Sequence, residues 1–534
     1  MNSRLYLYAK NTLFPCLAFS AVAGFFTALL VTAFKIAVEQ IIHISLFLYG
    51  AVRENPIWLP FLIVGAALLG LLASFLLSYS RSCRGGGIPT SVTAIRGIVN
   101  FRWIAGVFFL PVAALLTFLC GLPLGTEGPC VQMGTAVGDG VAKHLSSKNQ
   151  KGWRRYVMTG GASAGFSIAT ASPITAIIFS IEELHKHFSP LLLTVASVSV
   201  ISAQITSELL SLLGIGGVKL FQIEILPAID ISMLFAPLAI GIVSGICSIL
   251  FSLLYHRIDT LMHYLRHKLS IKLVFPVLFA CTAIIGFFLP DALGTGHSLT
   301  AQLLSARVLW YLLILVFLIR MVLMVFSNTS GVTGGVFLPT LAFGAIIGSV
   351  GADAMIALGW LSADCYPLMV VLGIASFIGA TSRIPITACV FAIEALGGIH
   401  NVLSIIVATT VALLTVELSG LEDFTDTVIH SKIKSINKGK TPTVIEASLT
   451  VKQDSFVVGK ELRDILWPNA CVIVSFDRAP MNRGKQGIAE GDVLTVHYTT
   501  YNPSVTAQEF DVLVGEQSDS TKHIMIPHAE GTGS

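Results

Sequence analysis

The sequence predicts an all-α polytopic membrane protein, built from two inverted-topology repeats with broken, reentrant helices and followed by a small C-terminal α/β domain. Three observations carry this prediction. The chain is 54% hydrophobic and 12% charged, with a mean hydropathy of +0.81, whereas soluble domains carry about 25% charged residues. A Gly/Pro-rich pattern occurs twice at a nearly constant spacing, and the composition becomes polar after Phe424.

Long uncharged stretches supply the membrane helices. Residues 57–79, 103–126 and 231–255 contain no charged side chain, and each exceeds the about 20 residues that cross the hydrocarbon core as a helix. The first apolar region runs past Phe34 without a small-residue cleavage pattern. It is therefore predicted to be a membrane helix rather than a signal peptide. Basic residues cluster in three intervening loops, which by the positive-inside rule face the cytosol.

Net charge and cysteine usage exclude several classes of function. With 33 basic and 30 acidic residues, the net charge is +3, which is too small to recruit nucleic acid. The nine cysteines form no CxxC pair, and several lie in apolar runs, where a thiol behaves as a small hydrophobic group. Neither a metal site, nor a disulfide framework, nor a cofactor is predicted.

An internal repeat divides the membrane part into two halves. Residues 173–184 match residues 385–396 at eight of twelve positions, at an offset of 212. Upstream, a Gly-x3-Pro-x4-Gly pattern that begins at Gly125 recurs from Gly335, at an offset of 210. Chance similarity between apolar segments does not explain matching glycines, prolines and glutamates. Such halves are typical of secondary transporters, whose substrate binds at the midplane between them.

Each half contains a broken helix whose start is suited to an anion. The segment 125–129, Gly-Thr-Glu-Gly-Pro, places Glu127 at a predicted helix start, and 335–339, Gly-Val-Phe-Leu-Pro, is its counterpart. Free amides and the positive end of the helix dipole attract anions at such a start. A glutamate tethered there competes with the anion and leaves when it is protonated, which predicts a pH-coupled gate. The alternative is a glutamate that only caps its helix.

Together these motifs resemble those of the CLC family of chloride channels and chloride/proton antiporters. The family patterns G-[SG]-G-I-P, G-x-E-G-P and G-x-F-x-P occur in order at 85–89, 125–129 and 335–339. The similarity covers roughly residues 10–436. It implies a homodimer in the lipid bilayer, in which each subunit has its own pathway for chloride or a similar monovalent anion. Protons are the second substrate of the family's antiporters.

The resemblance also implies roles for individual residues. Glu127 corresponds to the external gate and proton carrier of the family. The amides of Val336 and Phe337 correspond to those that bind the central anion, and Thr126 and Gly128 contribute amides to an outer site.

A second glutamate favours proton coupling. Glu183 is the second residue of a Glu-Glu pair that ends the repeated helix, where the family's antiporters carry an inner proton-transferring glutamate and its channels usually lack an acid. The repeat counterpart is Ala395, so the pair is not simply a product of symmetry. The alternative is an interfacial glutamate beside His185 and Lys186.

Three positions depart from the family pattern. The serine of the first motif is Gly86, the arginine before the gate is Thr126, and the tyrosine near the final membrane helix is Phe424. Two hydroxyl donors are thereby lost, and each hydrogen bond to a charged partner is worth about 1.5–3 kcal/mol. Central anion binding is expected to be weaker than in typical members. For Phe424 the alternative is an ordinary core aromatic at a helix end.

The C-terminal part resembles the TrkA-C/RCK C-terminal regulatory domain of potassium transport proteins. The cues are 457–462, Phe476-Asp-Arg478 and 487–494. We expect strands at 471–476, 493–498 and 509–514, and a helix at 459–466. The predicted domains are 1–436 in the membrane, 437–517 as a cytosolic regulatory domain, and 518–534 as a disordered tail or a remnant of expression. The regulatory domain either binds a small ligand or is a passive cap.

The sequence thus predicts a membrane transporter rather than an enzyme: a homodimeric, proton-coupled antiporter for a chloride-like anion in the bacterial inner membrane. The first alternative is a passive anion channel of the same fold, and a fluoride exporter is a second, less favoured alternative. A potassium-type transport subunit is disfavoured, because a potassium filter needs converging carbonyls rather than helix N-termini.

Overall fold

The computed structural model describes residues 13–79, 83–85, 87–99, 101–144, 152–216, 220–221, 226–229, 233–437, 440–453, 455–482, 487–516 and 524–526. Gly86 lies outside these residues. The helices in chain order are α1 Phe14–Glu54, α2 Leu59–Tyr79, α3 Ile88–Ile95, α4 Trp103–Leu119, α5 Glu127–Lys143, α6 Arg154–Thr170, α7 Pro173–Phe179, α8 Pro190–Leu212, α9 Phe235–Lys268, α10 Ile271–Phe288, α11 His297–Ser305, α12 Trp310–Ser330, α13 Phe337–Ala357, α14 Tyr366–Thr381, α15 Pro385–Glu394, α16 Val402–Glu417, α17 Phe424–Ile436 and α18 Pro503–Val514. The strands are β1 Thr443–Thr450, β2 Cys471–Asp477, β3 Val493–Thr500 and β4 Ile524–Ile526.

The helices confirm the predicted polytopic, all-α membrane part. Within the described residues, nine helical segments are long and apolar enough to cross a membrane. The predicted span 103–126 is shorter than expected, because its helix α4 ends at Leu119, ahead of Gly121 and Pro123. The remaining residues of that stretch lead into the helix break before α5.

The two halves repeat the same close helix crossing. A Cβ atom on Gly134 of α5 would lie 2.0 Å from the carbonyl oxygen of Gly161 on α6. In the second half, a Cβ atom on Gly344 of α13 would lie 2.6 Å from the carbonyl oxygen of Gly373 on α14. Real Cβ atoms do not approach an oxygen so closely, so only glycine allows these helices to touch through their backbones. The repeat seen in the sequence is therefore also a repeat of packing.

The C-terminal domain is a small α/β unit, as predicted. Its antiparallel sheet has the strand order β2-β3-β1-β4, and buried residues such as Leu449, Val496 and Phe510 form its core with α18. Part of the tail, β4, pairs with β1; the rest of 517–534 lies outside the described residues.

Two of the expected elements in this domain were wrong. Residues 509–514 belong to helix α18 rather than to a strand, because Phe510, Leu513 and Val514 are buried together at helical spacing after Pro503 at the helix start. Residues 459–466 form turns with one short 3-10 segment, Leu462–Asp464, rather than a helix.

The C-terminal domain docks on the membrane part through a polar contact. Arg155, at the start of α6, donates to the Trp467 carbonyl at 2.7 Å and pairs with Glu509 at 2.8 Å. Ser189, which caps α8, donates to the Asp464 carboxylate at 2.8 Å. The domain therefore touches the two helices that flank the segment carrying Glu183.

An aromatic contact reinforces this docking. Phe456 of the C-terminal domain packs on Trp153, with ring centroids 5.4 Å apart, and on Tyr156, at 5.8 Å. All three side chains are buried. They join the core of the domain and the ends of α6 and α8 into one apolar cluster.

We expect Gly161→Ala to destabilise the membrane part, because its Cβ atom would lie 2.1 Å from the Gly134 carbonyl oxygen. Overpacking of this kind costs about 1–3 kcal/mol. Thermal unfolding of the purified protein in detergent should show a lower midpoint. The matched control is Gly65→Ala on α2, where a Cβ atom meets nothing within 4 Å; equal midpoints for the two variants would contradict the close crossing.

Candidate functional site

The two halves meet at a pair of backbone hydrogen bonds between buried residues. The Gly125 amide donates to the Gly335 carbonyl and the Gly335 amide donates to the Gly125 carbonyl, each at 2.7 Å. These residues are equivalent in the repeat, so the bonded pair lies on the pseudo-two-fold axis. Helices α5 and α13 begin two residues later. Their positive N-terminal ends are therefore directed toward one region.

Glu127 lies across these helix ends. Its side chain is fully buried, and Oε1 accepts a hydrogen bond from the Thr126 hydroxyl at 3.1 Å. A Cβ atom on Gly125 would lie 2.7 Å from Oε2, so the carboxylate folds back over the glycine pair. The Leu338 amide of α13 faces the carboxylate, but Oε2 has no hydrogen-bond partner. A buried, half-satisfied carboxylate is costly, which is typical of a functional group.

The motif glycines bring three segments into contact. A Cβ atom on Gly128 would lie 2.6 Å from the Gly335 Cα atom and 2.9 Å from the Gly87 Cα atom. The Gly87 amide itself donates to Gln132 Oε1 at 2.9 Å. All three family-like motifs therefore converge at one point, and Gly128 and Thr126 lie at the start of α5 with Glu127.

A cavity lies next to this point. It is bounded by the glycines of the first and third motifs, by Val336 and Phe337, and by residues from the ends of three further helices; the lining includes Gly85, Gly87, Phe179, Glu183, Asn328, Gly335, Val336, Phe337, Thr340, Ser382, Phe424 and Thr425. The structure thus brings together four of the predicted site residues: Val336, Phe337, Glu183 and Phe424. Glu127, Thr126 and Gly128 do not line this cavity.

Glu183 is the acid at the edge of the cavity. It lies in a wide helical turn, Ser180–His185, and is only 2% exposed. Oε1 accepts a hydrogen bond from the Thr425 hydroxyl at 2.5 Å, and Oε2 has no partner. The neighbouring Lys186 pairs with Asp423 and Asp426. Of these three charged side chains, Asp423 is buried, whereas Lys186 and Asp426 are partly exposed.

Glu182, the other member of the pair, has a different environment. Its carboxylate accepts from the amides of Ile386 and Thr387 at the start of α15, at 3.1 and 2.7 Å. Its repeat counterpart Glu394 accepts from the amides of Ile174 and Thr175 at the start of α7, at 2.9 and 2.8 Å. The two glutamates thus cap each other's repeated helix. This reciprocal contact, which we call the glutamate clasp, leaves Glu183 without a structural counterpart.

Phe424 has both of the environments considered for it. It is the first residue of α17, is 4% exposed, and packs on Phe251 and Tyr255 with ring centroids 5.7 and 4.9 Å apart. It also lines the cavity. The ring is therefore a core aromatic whose edge forms part of the cavity wall.

Sequence reasoning missed Asn328. This residue of α12 lines the cavity, and its Oδ1 accepts from the Tyr255 hydroxyl at 2.9 Å. With the oxygen engaged, the NH2 group is the donor that this side chain has left. The sequence did contain a signal for this residue: it is a polar residue near the end of an apolar helix, seven positions before Gly335.

Comparison with known proteins agrees with this geometry. The sequence model described as "Voltage gated chloride channel" matches residues 65–417. The H(+)/Cl(-) exchange transporter ClcA of Vibrio cholerae is 27% identical over 450 residues, covering 80% of this chain and 92% of the relative.

Two solved structures share the fold. A slow cyanobacterial Cl-/H+ antiporter has a TM-score of 0.72 and 21% identity, covering 79% of this chain and 99% of its own. A CLC-type fluoride/proton antiporter has a TM-score of 0.60 and 21% identity, covering 75% and 95%. The C-terminal domain lies outside the family match, so its resemblance to TrkA-C stays a prediction. Because the match covers more than half of the sequence, the chain belongs to the voltage gated chloride channel family.

Proposed function

We propose that the protein is a proton-coupled antiporter for chloride or a similar monovalent anion, and that Glu127 is its gate. The observation that carries the proposal is the buried carboxylate of Glu127, which lies over two opposed helix starts with one oxygen unpaired. The amides that face this carboxylate are the groups that an anion would use. Loss of its charge on protonation would free the position for the anion. The exchange activity of the Vibrio cholerae relative supports the same substrates.

The central anion site is proposed to lie in the cavity at Val336 and Phe337. These residues stand at the start of α13, where amides are free of intrahelical partners. Gly86 and Phe424 supply no hydroxyl to this site. The side-chain amide of Asn328, which lies outside the three family motifs, is proposed to supply a donor instead. Thr126 and Gly128 are proposed to contribute amides to the outer site beside Glu127.

Glu183 is proposed to pass protons between the cytosolic side and Glu127. It is buried at the cavity edge with an unpaired oxygen, and the nearby Lys186 pairs with Asp423, which is buried, and with Asp426, which is partly exposed. The glutamate clasp supports this role indirectly. Glu182 and Glu394 already cap the starts of α15 and α7, so Glu183 is not needed as a helix cap.

The remaining alternatives differ in what moves. A passive anion channel would carry anions without protons, a fluoride exporter would prefer fluoride, and a potassium-type subunit would carry cations. Reconstituted vesicles with an imposed chloride gradient separate them. Uphill proton movement supports the antiporter, anion flux without protons supports the channel, and cation flux supports the third.

The assembly is proposed to be a homodimer in the bacterial inner membrane. The helices joined by the glutamate clasp carry exposed isoleucines, including Ile174 and Ile386, each more than half exposed. Helix α8 adds Ile201 and Ile205 to the exposed apolar residues. A second copy of the chain would cover such a face.

The C-terminal domain is proposed to be cytoplasmic, because it docks on the basic end of α6 at Arg155. For its role, two hypotheses stand: a domain that binds a small ligand, and a passive cap. A shallow pocket lined by Leu462, Arg463, Phe476 and Arg478 offers a place for a ligand.

We expect Glu127→Gln to give anion flux that no longer depends on pH, because an amide neither ionises nor carries a proton. Uphill proton movement should be lost at the same time. Chloride efflux and proton uptake in the same vesicles measure both. Proton-coupled transport equal to that of the parent would remove Glu127 from the mechanism.

We expect Glu183→Val to retain anion movement and lose its ability to drive protons, because the anion path does not need this carboxylate. The matched control is Thr425→Val, which removes the hydroxyl bonded to Glu183 but keeps the acid. This control should still pump. If Glu183→Val pumps protons uphill at the parent rate, Glu183 is an interfacial residue and another route carries them.

We expect Asn328→Leu to weaken chloride binding about tenfold or more, because a hydrogen bond to a charged partner is worth about 1.5–3 kcal/mol. Phe424→Tyr, which adds a hydroxyl at the cavity wall, should act in the opposite direction. Calorimetric titration of chloride into the detergent-solubilised variants measures both. Equal affinities in all three proteins would mean that the anion does not lie in this cavity.

A further inference from the structure

Lys35 is a cation in the middle of the first membrane helix. It lies in α1, is partly buried, and its Nζ atom donates to the carbonyl oxygens of Ile168 at 3.0 Å and Ala169 at 3.3 Å. An ammonium group at membrane depth is costly, so its presence there points to a function. The two carbonyls belong to the last turn of α6, the negative end of that helix, which attracts a cation.

The packing of α5 against α6 shows what lies beside these carbonyls. Glycine contacts fix the antiparallel register: Gly138 faces the Val157 carbonyl, Gly134 faces the Gly161 carbonyl, and Gly165 faces the Cys130 carbonyl. Each step of four residues along α5 corresponds to a step of four back along α6. One further turn of this register places Ile168 opposite Glu127.

Lys35 is therefore bound to the part of α6 that faces the gate. The positive charge of Lys35 therefore lies at the turn of α6 that faces Glu127, and Glu39 lies one helical turn from Lys35 on α1. On α5 the thiol of Cys130, three residues after Glu127, is a further titratable group near the carboxylate. From α13 the carboxylate meets the Leu338 amide, and from the preceding loop the Thr126 hydroxyl.

We infer that Lys35 is a positioning residue that holds the Glu127 carboxylate charged in its buried place and so sets the pH at which the gate opens. The inference rests on the proposed function of Glu127. Thr126, the residue directly before the gate, carries no charge, so the cation that stabilises the gate comes from another helix. The same positive charge favours entry of an anion when Glu127 is protonated and leaves.

Two variants separate the charge of Lys35 from its hydrogen bonds. Lys35→Gln keeps a donor for the α6 carbonyls and removes the charge, whereas Lys35→Arg keeps both. Without the charge, protonation of Glu127 becomes easier. The midpoint of the pH dependence of chloride flux should therefore move up by about one pH unit in Lys35→Gln and stay near the parent value in Lys35→Arg. Flux from reconstituted vesicles, measured at equal pH on both sides, gives these midpoints.

The background variant Glu127→Gln separates failure of this inference from failure of the proposed function. If Glu127→Gln still shows the parent pH dependence, Glu127 is not the gate. If Glu127→Gln is pH-independent but Lys35→Gln has the parent midpoint, the gate stands and Lys35 only anchors α1. We expect Lys35→Gln to shift the midpoint of the pH dependence of chloride flux, and we expect this effect to be absent when Glu127→Gln is also present. An effect of Lys35→Gln on the pH dependence that persists in the double variant overturns the inference.

Discussion

The arrangement of the whole site depends on the two reciprocal hydrogen bonds between Gly125 and Gly335. They join equivalent residues of the two halves, with a nitrogen–oxygen distance of 2.7 Å in each bond. They thereby hold the starts of α5 and α13 close to each other. Free amides from both halves then face one small volume. A side chain on Gly128 or Gly335 would separate the segments, since its Cβ atom would lie within 2.7 Å of the opposite backbone. Gly128 and Gly335 are thus required by close contact between the segments.

This pairing has a chemical consequence for the gating role proposed for Glu127. The amides at the two helix starts attract negative charge, whether it belongs to a dissolved anion or to the tethered carboxylate of Glu127. The carboxylate is held by a short tether and is fully buried, so it competes well while it is charged and poorly once it is neutral. Under the proposed function, competition between a substrate anion and the Glu127 side chain for the same dipoles would link anion movement to protons without any further moving part.

Much of this architecture is predictable from sequence because its signals are local. The spacing of glycines and prolines indicates the broken helices, and their recurrence indicates the two halves, so Glu127, Val336 and Phe337 could be placed before the structure. Lys35, Asn328 and the glutamate clasp could not, because each depends on a contact between residues far apart in the chain; Glu182 and Thr387, for example, are 205 positions apart. The strand expected at 509–514 failed for a related reason, since alternating apolar residues in a short segment fit either a strand or the buried face of a helix.

The docking of the C-terminal domain has a consequence for the order in which the protein is made. The surface on which it docks is formed by Trp153, Tyr156 and Ser189 of the first half. The residues that cover this surface are synthesised much later, since Arg155 and its partner Leu466 are 311 positions apart. At a synthesis rate of 5–20 residues per second, an aromatic surface at the ends of α6 and α8 stays uncovered for roughly 15–60 s. During that time the membrane halves can insert and pair. Once Phe456 has been synthesised, it can pack on Trp153 and Tyr156 and cover this surface. A chain truncated before Phe456 would therefore have an exposed aromatic patch on its membrane part, and such a patch favours aggregation.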